Sequence, residues 1–183
     1  VKVTDALASN PTKLLYEEIK TIATDGIAIG HQDPTAYGIN WKASAENSYR
    51  NDIHDVIGKY PAVHGWELGH IELGNDINLD TVSFALMREQ IIKTYQQGGI
   101  NTLSWHLDNP VSGGTSWDVT PAASTILKGG ANREKYEVWV DRLADFLKSL
   151  RTQNGITIPV VFRPYHEMNG SWFWWGAKNS ETS

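Results

Sequence analysis

The chain has 183 residues, a length at which a domain can bury a sizeable hydrophobic core. Its formal net charge of −5 and the absence of a basic run argue against a nucleic-acid partner, because phosphate binding depends on clustered Lys and Arg. With no cysteine and no apolar run approaching about 18 residues, the sequence excludes disulfides, Cys–zinc sites, a thiol nucleophile and a membrane span.

Helical spacing and short apolar runs alternate four times along the chain. The predicted elements are helices over 11–23, 49–60, 84–95 and 136–150, and strands over 26–30, 62–68, 100–105 and 156–162. This alternation favours an α/β fold with βαβ units and a parallel sheet. Four units are half of a TIM (β/α)8 barrel, which typically needs about 250 residues. We therefore interpret residues 1–183 as the N-terminal half of a single barrel domain, in a chain that stops before the barrel is complete.

Polar and aromatic residues follow the carboxyl end of each predicted strand. Because these ends lie on one face of a parallel sheet, the side chains are expected to converge where barrel enzymes place their active sites. The groups are His31 to Asp33, Trp66 with Glu67, Trp105 to Asp108, and Arg163 to Glu167. Six of the eight tryptophans also lie outside apolar helix stripes and suggest a ligand groove, namely Trp41, Trp66, Trp105, Trp172, Trp174 and Trp175.

Glu167 is the leading candidate for a catalytic residue. It directly follows an apolar strand and precedes an aromatic cluster that begins at Trp172. Apolar surroundings favour a protonated carboxyl, which a general acid requires. The alternative is a structural role for Glu167 as a helix cap or as an ion-pair partner of Arg163.

Five further residues are candidate substrate-binding residues, namely Trp105, His106, Arg163, His166 and Trp172. For Arg163 the sequence leaves open whether it orients a carboxylate or forms an internal ion pair. Trp105 and His106 end the third predicted strand, which lies beside the fourth if the strand order is sequential.

Other polar residues at the strand ends allow two interpretations each. Glu67 is either part of the site wall or a buried ion-pair partner, and Asp108 either contacts a ligand or starts a turn. His31 with Asp33 raises the question of a metal, but no partner residues have regular ligand spacing. We therefore expect neither a metal nor a cofactor.

The segment FRPYHEMNGSWFWWG (162–176) closely resembles the acid/base motif of glycoside hydrolase family 26, in which β-mannanases dominate. The resemblance extends through GHQDPTAYG (30–38), AVHGWELG (62–69) and LSWHLDNP (103–110). It implies an eight-stranded barrel and endo-acting, retaining hydrolysis of β-1,4-mannan or manno-oligosaccharides without a metal. It makes Glu167 the acid/base, and makes His106, His166 and Trp172 contacts to the sugar at or next to the cleavage point. It also implies a secreted, periplasmic or cell-surface location and no obligate protein partner.

The catalytic nucleophile is expected outside this chain. In the family that the sequence resembles, the nucleophilic glutamate follows the seventh strand, and retaining glycosidases hold their two carboxyls about 5–5.5 Å apart. Asp33, Glu67 and Asp108 belong to the first three strands and are poor substitutes.

Two alternative functions stay open from the sequence. One is a hydrolase of another β-glycan, either mixed-linkage glucan or β-1,3-xylan, and the other is a non-catalytic carbohydrate-binding barrel. A nucleotide enzyme with an open sheet is disfavoured, because no glycine-rich phosphate loop follows the first strand.

Overall fold

The computed structural model describes residues 3–44, 46 and 48–176. Its elements, in chain order, are α1 (Asn10–Asp25), β1 (Gly30–Gln32), β2 (Tyr37–Gly38), β3 (Trp41–Lys42), α2 (Asp52–Ile57), β4 (Val63–Glu67), α3 (Phe84–Gln96), β5 (Ile100–Trp105), a 3-10 helix (Ala123–Ile126), α4 (Arg133–Ser149) and β6 (Val161–Pro164). One sheet has the strand order β1-β4-β5-β6, and β2 pairs with β3 in a separate antiparallel hairpin. β1 and β4 are parallel, with Gly30 opposite Val63. The predicted alternation of helices with strands in sequential order is therefore confirmed.

The first and last strands of the sheet begin later than predicted. Gly26 donates its backbone N–H to the carbonyl of Ile22 and so ends α1, and the carbonyl of Ile29 accepts the N–H groups of Ala62 and Val63 just before β1 starts. Before β6, the apolar run folds back on the end of α4, where the N–H of Ile158 donates to the carbonyl of Leu150 at 2.9 Å. Both segments are apolar enough to resemble strands, but the first continues from the end of α1 and the second folds back on the end of α4.

α1 begins one residue earlier than the sequence suggests. The side chain of Ser9 accepts the N–H of Thr12 at 3.3 Å, so Ser9 is the N-cap and Pro11 lies in the first turn. Pro is tolerated there because the first helical N–H groups have no partner within the helix.

The chain divides into two compact units. The first takes its residues from the ranges Val1–Trp66, Ala85–Leu103 and Lys148–Phe162, and the second from Glu67–Phe84, Ser104–Leu147 and Arg163–Ser183. In the first unit, the fully buried side chains include Trp66, Met87, Ile91, Leu103 and Leu150. In the second unit they include Leu68, Glu72, Trp105, Leu107 and Trp174. The carboxyl ends of β4, β5 and β6, where the candidate residues lie, all belong to the second unit.

Most of the tryptophans form core and not groove. Of the six that the sequence placed in a ligand groove, only Trp172 is exposed, whereas Trp41, Trp66, Trp105, Trp174 and Trp175 are buried. None of the helices in the part of the chain that the structure describes has the length and apolar character to cross a bilayer.

Candidate active site

Glu167 lies at an exposed position just after β6, with one carboxylate oxygen fixed by a tryptophan. The indole N–H of Trp172 donates to Oε2 of Glu167 at 2.8 Å, and the Trp172 side chain stays 47% exposed. An indole nitrogen only donates, so a proton on Glu167 cannot lie between these two atoms. A neutral carboxyl can therefore carry its proton on Oε1 while Oε2 keeps the bond from Trp172.

The backbone around Glu167 is held in an uncommon conformation. Tyr165 and Glu167 have φ values of 50° and 55°, in the left-handed region that non-glycine residues rarely adopt. Such strain persists only where surrounding contacts hold it, and it concentrates at functional sites. Here the N–H of Gly170 donates to the Glu167 carbonyl at 2.8 Å, and the indole of Trp175 donates to the His166 carbonyl at 2.9 Å.

Gly170 allows the indole of Trp172 to reach Glu167. A Cβ atom built on Gly170 would lie 2.4 Å from the Trp172 ring, well inside any real carbon–carbon contact. Only glycine therefore permits this ring position, which accounts for the spacing of Glu167, Gly170 and Trp172 in the motif.

His106 and His166 meet ring to ring beside this motif. Their Nε2 atoms are 3.0 Å apart and their planes are nearly perpendicular, at 83°. The Nδ1 atom of His106 lies 2.8 Å from Oε2 of Glu67, so both ring nitrogens of His106 already have protein partners. Burial lowers the pKa of His166, and the neighbouring His106 and Arg163 act in the same direction, against the charges of Glu67 and Glu167. His166 is therefore neutral near neutral pH.

Glu67 is the buried partner of His106 and has 2% of its surface exposed. Its Oε1 accepts the backbone N–H groups of Gly69 and His106, each at 2.7 Å, and its Oε2 also accepts the Ser104 hydroxyl at 2.5 Å. Burial opposes ionisation, but the bonds from His106 and Ser104 and the charge of His106 outweigh it and lower the pKa of Glu67. Of the two interpretations that the sequence leaves open, the buried partner is the one that the structure supports.

The expectation that Trp105 contacts substrate is not supported by its position. Trp105 is 1% exposed, and its indole N–H donates to Oε2 of Glu72 at 2.8 Å. Side chains alternate between the two faces of a strand, so Trp105 at the end of β5 points away from the adjacent His106. It belongs to the packing beneath the site.

Trp117 is a site residue that sequence reasoning missed. Its ring stacks on His106 with centroids 5.2 Å apart and planes within 7°, and 54% of the side chain is exposed. It lies in a loop far from any strand end, between Ser116 and Asp118. The paired glycines Gly113 and Gly114 mark that loop, but they do not indicate which residue it brings to the site.

The other sequence candidates lie nearby or are buried. Arg163 is exposed at the end of β6, close enough to influence His166. Asp108 is half-buried, and burial raises its pKa. In the first unit, Asp33 is buried and accepts the Tyr37 hydroxyl at 3.1 Å. Within residues 3–44, 46 and 48–176, no three His, Cys, Asp or Glu side chains are grouped in a way that could hold a metal ion.

The second buried carboxyl, Glu72, gives a stability prediction with a defined sign. Its oxygens accept the N–H groups of Trp105 and Asp108, yet burial dominates and raises the pKa of Glu72. Because the pKa of Glu72 is raised in the fold, its contribution to the free energy of unfolding is fully present below the unfolded-state pKa. This contribution is lost as pH rises through the folded-state pKa. We expect Glu72→Gln, which imitates the neutral carboxyl, to be stabilised relative to wild type as pH rises.

Urea midpoints of both forms between about pH 4 and pH 8 test this expectation. A midpoint difference that stays constant over this interval would contradict it.

Comparison with known proteins agrees with the motif and the fold. The model of glycosyl hydrolase family 26 matches residues 4–183. A mannan endo-1,4-beta-mannosidase from Bifidobacterium adolescentis is 34% identical over 191 residues, which cover 100% of this chain and 18% of that protein. A GH26 beta-mannanase structure from Bacteroides ovatus has a TM-score of 0.87 at 50% identity, covering 92% of this chain and 49% of its own. The catalytic domain of a GH26 endo-beta-1,4-mannanase from Bacillus sp. JAMB-750 has a TM-score of 0.86 at 32% identity, covering 98% of this chain and 48% of that structure.

The chain thus spans about half the length of these two solved structures and less than a fifth of the curated relative. Its four sheet strands and their helices have the α/β architecture of part of a TIM barrel, as the sequence predicts. The matched region covers nearly all of the sequence and includes every candidate site residue. The chain belongs to glycosyl hydrolase family 26.

Proposed function

We propose that the protein carrying this chain is an endo-acting, retaining hydrolase of β-1,4-mannosidic linkages, with Glu167 as its acid/base. The observation that carries the proposal is the exposed Glu167 carboxyl whose Oε2 is fixed by the Trp172 indole N–H. Family membership and relatives named as mannan endo-1,4-beta-mannosidases support the substrate class.

In this mechanism, a second carboxylate attacks the anomeric carbon while Glu167 donates its Oε1 proton to the departing glycosidic oxygen. Glu167, now ionised, then takes a proton from the water that releases the sugar from the covalent intermediate. Glu67 is unsuited to the role of nucleophile, because its two oxygens accept four hydrogen bonds and the residue is buried. We propose that the nucleophile comes from outside the described residues.

Sugar binding is proposed to rest on aromatic faces around Glu167. The exposed rings of Trp172 and Trp117 present flat apolar surfaces on which a pyranose can stack. His166, His106 and Arg163 supply polar groups at the same end of the unit, although a bond from His106 to sugar requires it to release Glu67 or His166. Trp105 is left out of this set because of its burial.

Product analysis on several polysaccharides tests the substrate and the mode of action. Mannan, mixed-linkage glucan and β-1,3-xylan are each incubated with the protein, and new reducing ends and oligosaccharide lengths are measured. A rapid fall in the viscosity of mannan with internal cleavage supports the proposal, as does NMR observation of the β-anomer as the first product. Cleavage of another glycan alone, or binding without cleavage, would favour one of the alternatives.

A location outside the cytoplasm belongs to the same proposal. Polymeric mannan does not cross a membrane, so a hydrolase of the polymer must be exported to meet it. Fractionation of the source cells followed by detection of the protein tests this point.

Substitution of Trp172 should affect sugar binding more than folding. The side chain is about half exposed, so Trp172→Ala removes little core, whereas lost stacking of about 1 kcal/mol raises KM about fivefold. Both substitutions remove the indole N–H that fixes Oε2 of Glu167, so kcat should be low in each. Trp172→Phe keeps an apolar face, and its KM should therefore return towards that of the wild type. Steady-state kinetics on mannohexaose and thermal melting measure the two effects.

Tyr16→Ala is a matched control, since Tyr16 on α1 is also 47% exposed. Its kinetics should equal those of the wild type. A large fall in melting temperature for Trp172→Ala, with unchanged KM, would instead make Trp172 a core residue.

A further inference from the structure

Three side chains form a continuous hydrogen-bonded chain that ends at the residue before Glu167. Oε2 of Glu67 lies 2.8 Å from Nδ1 of His106, and Nε2 of His106 lies 3.0 Å from Nε2 of His166. The three residues come from the ends of β4, β5 and β6, and all of them lie within the second unit. No part of the chemistry proposed above uses Glu67.

The direction of these bonds follows from the surroundings of Glu67. Its carboxylate accepts the N–H groups of Gly69 and His106 and the hydroxyl of Ser104, so the site favours an ionised carboxylate that only accepts. Nδ1 of His106 must therefore carry a proton. In a neutral His106 ring, Nε2 then accepts, which makes Nε2 of His166 the donor and fixes the tautomer of His166.

The anchored ring of His166 belongs to a strained backbone segment. Tyr165 and Glu167, on either side of His166, both have positive φ. The segment is also held by the bond between the Tyr165 and Tyr136 hydroxyls at 2.5 Å, by the indole of Trp175 on the His166 carbonyl, and by the Gly170 N–H and the Trp172 indole on Glu167. Among the hydrogen bonds described for residues 165–167, the one made by the ring of His166 ties the segment to the end of another strand of the main sheet, through His106.

We propose that Glu67 is a positioning residue for the acid/base, which acts through His106 and His166 to hold the 165–167 backbone and so to aim Oε1 of Glu167. This inference rests on the proposed function of Glu167. Misplacement of a catalytic group by about 1 Å lowers rate by up to about 100-fold, so the effect is measurable in kinetics.

The dependence of rate on the leaving group separates positioning from a merely structural role. A dinitrophenyl β-mannobioside needs little protonation of its leaving group, whereas mannotetraose needs full protonation, and kcat/KM reports the first chemical step for both. For Glu67→Gln we expect kcat/KM to fall about 10–100-fold on mannotetraose and less than about threefold on the dinitrophenyl substrate. The same selective loss is the signature expected of Glu167→Gln.

Glu72→Gln is the matched control. Glu72 is an equally buried glutamate of the same unit that accepts two N–H donors, but it contacts Trp105 and the backbone of Asp108 instead of the histidines. Any loss it causes should be equal for the two substrates. An equal loss for both substrates in Glu67→Gln, or no loss, would overturn the proposal.

Two further measurements apply if Glu67→Gln does not fold or if the wild type is inactive. If Glu67→Gln is recovered unfolded, Glu67→Asp retains the carboxylate with a shorter reach and should show an intermediate selective loss, whereas an equal loss on both substrates again overturns the proposal. If the wild type hydrolyses none of the glycans, the proposed function fails, and NMR titration of His166 tests the relay alone. The groups facing His166 are His106, Glu67, Arg163 and Glu167, and removal of the Glu67 charge should lower the pKa of His166 further. An unchanged pKa of His166 would show that Glu67 does not act on His166 through the hydrogen-bonded chain.

Discussion

Glu167→Gln should lower kcat on mannan by about 10²–10⁴-fold, because loss of a general acid/base typically costs that factor. The glutamine oxygen still accepts the Trp172 indole N–H, so the local structure is expected to persist. KM should change little, since the proton is transferred only in the transition state. Reducing-end assays across a range of mannan concentrations measure both constants.

A substrate with an activated aryl leaving group should restore much of the rate of the glycosylation step in Glu167→Gln, because the bond to such a leaving group breaks without protonation. Glu89→Gln, an exposed glutamate on α3, serves as control and should retain wild-type turnover. Near-normal turnover of Glu167→Gln on mannan would remove Glu167 from the acid/base role.

The elements that the sequence predicted well are those specified locally. α3 and β5 lie where the sequence predicts them, because the apolar spacing indicates each element and the turn at Gly98 separates the two. β1 and β6 differ because strand limits depend on which backbone groups find partners across the sheet, and apolarity alone does not reveal this. The β2–β3 hairpin, with two residues in each strand, is too short for any periodic signal.

The site shows the same division between local and long-range information. The relation of Glu167 to Trp172 is contained in one segment, and the glycine at 170 explains the spacing. The bond between Glu67 and His106 joins residues 39 positions apart, and no local pattern distinguishes that partner from a site-wall carboxylate. The burial of Trp105 likewise depends on Glu72, a residue without a sequence signal.

Glu67→Ala should lower the free energy of unfolding by about 3–5 kcal/mol near neutral pH, because it leaves several buried hydrogen-bond donors without an acceptor, at about 1–3 kcal/mol each. The substitution strands the backbone N–H groups of Gly69 and His106, which both donate to Oε1 in the wild type. It also leaves the Ser104 hydroxyl and Nδ1 of His106 without their acceptor. Urea denaturation with the midpoint and slope fitted together measures the loss.

The pH dependence of this loss separates the charge of Glu67 from its packing. The pKa of Glu67 is lowered in the fold, so its stabilisation is present above the unfolded-state value of about 4.3 and disappears as pH falls through the folded-state value. The difference in the free energy of unfolding between wild type and Glu67→Ala should therefore become smaller in acid. The contribution of Glu72 shows the opposite trend, because it is lost as pH rises. Glu137→Ala is the control, because its exposed bond to Arg133 at 2.7 Å is expected to contribute less than about 1 kcal/mol at any pH. If the difference in unfolding free energy for Glu67→Ala were as large in acid as at neutral pH, the loss would come from the cavity, and the ionised Glu67 carboxylate would contribute nothing measurable to stability.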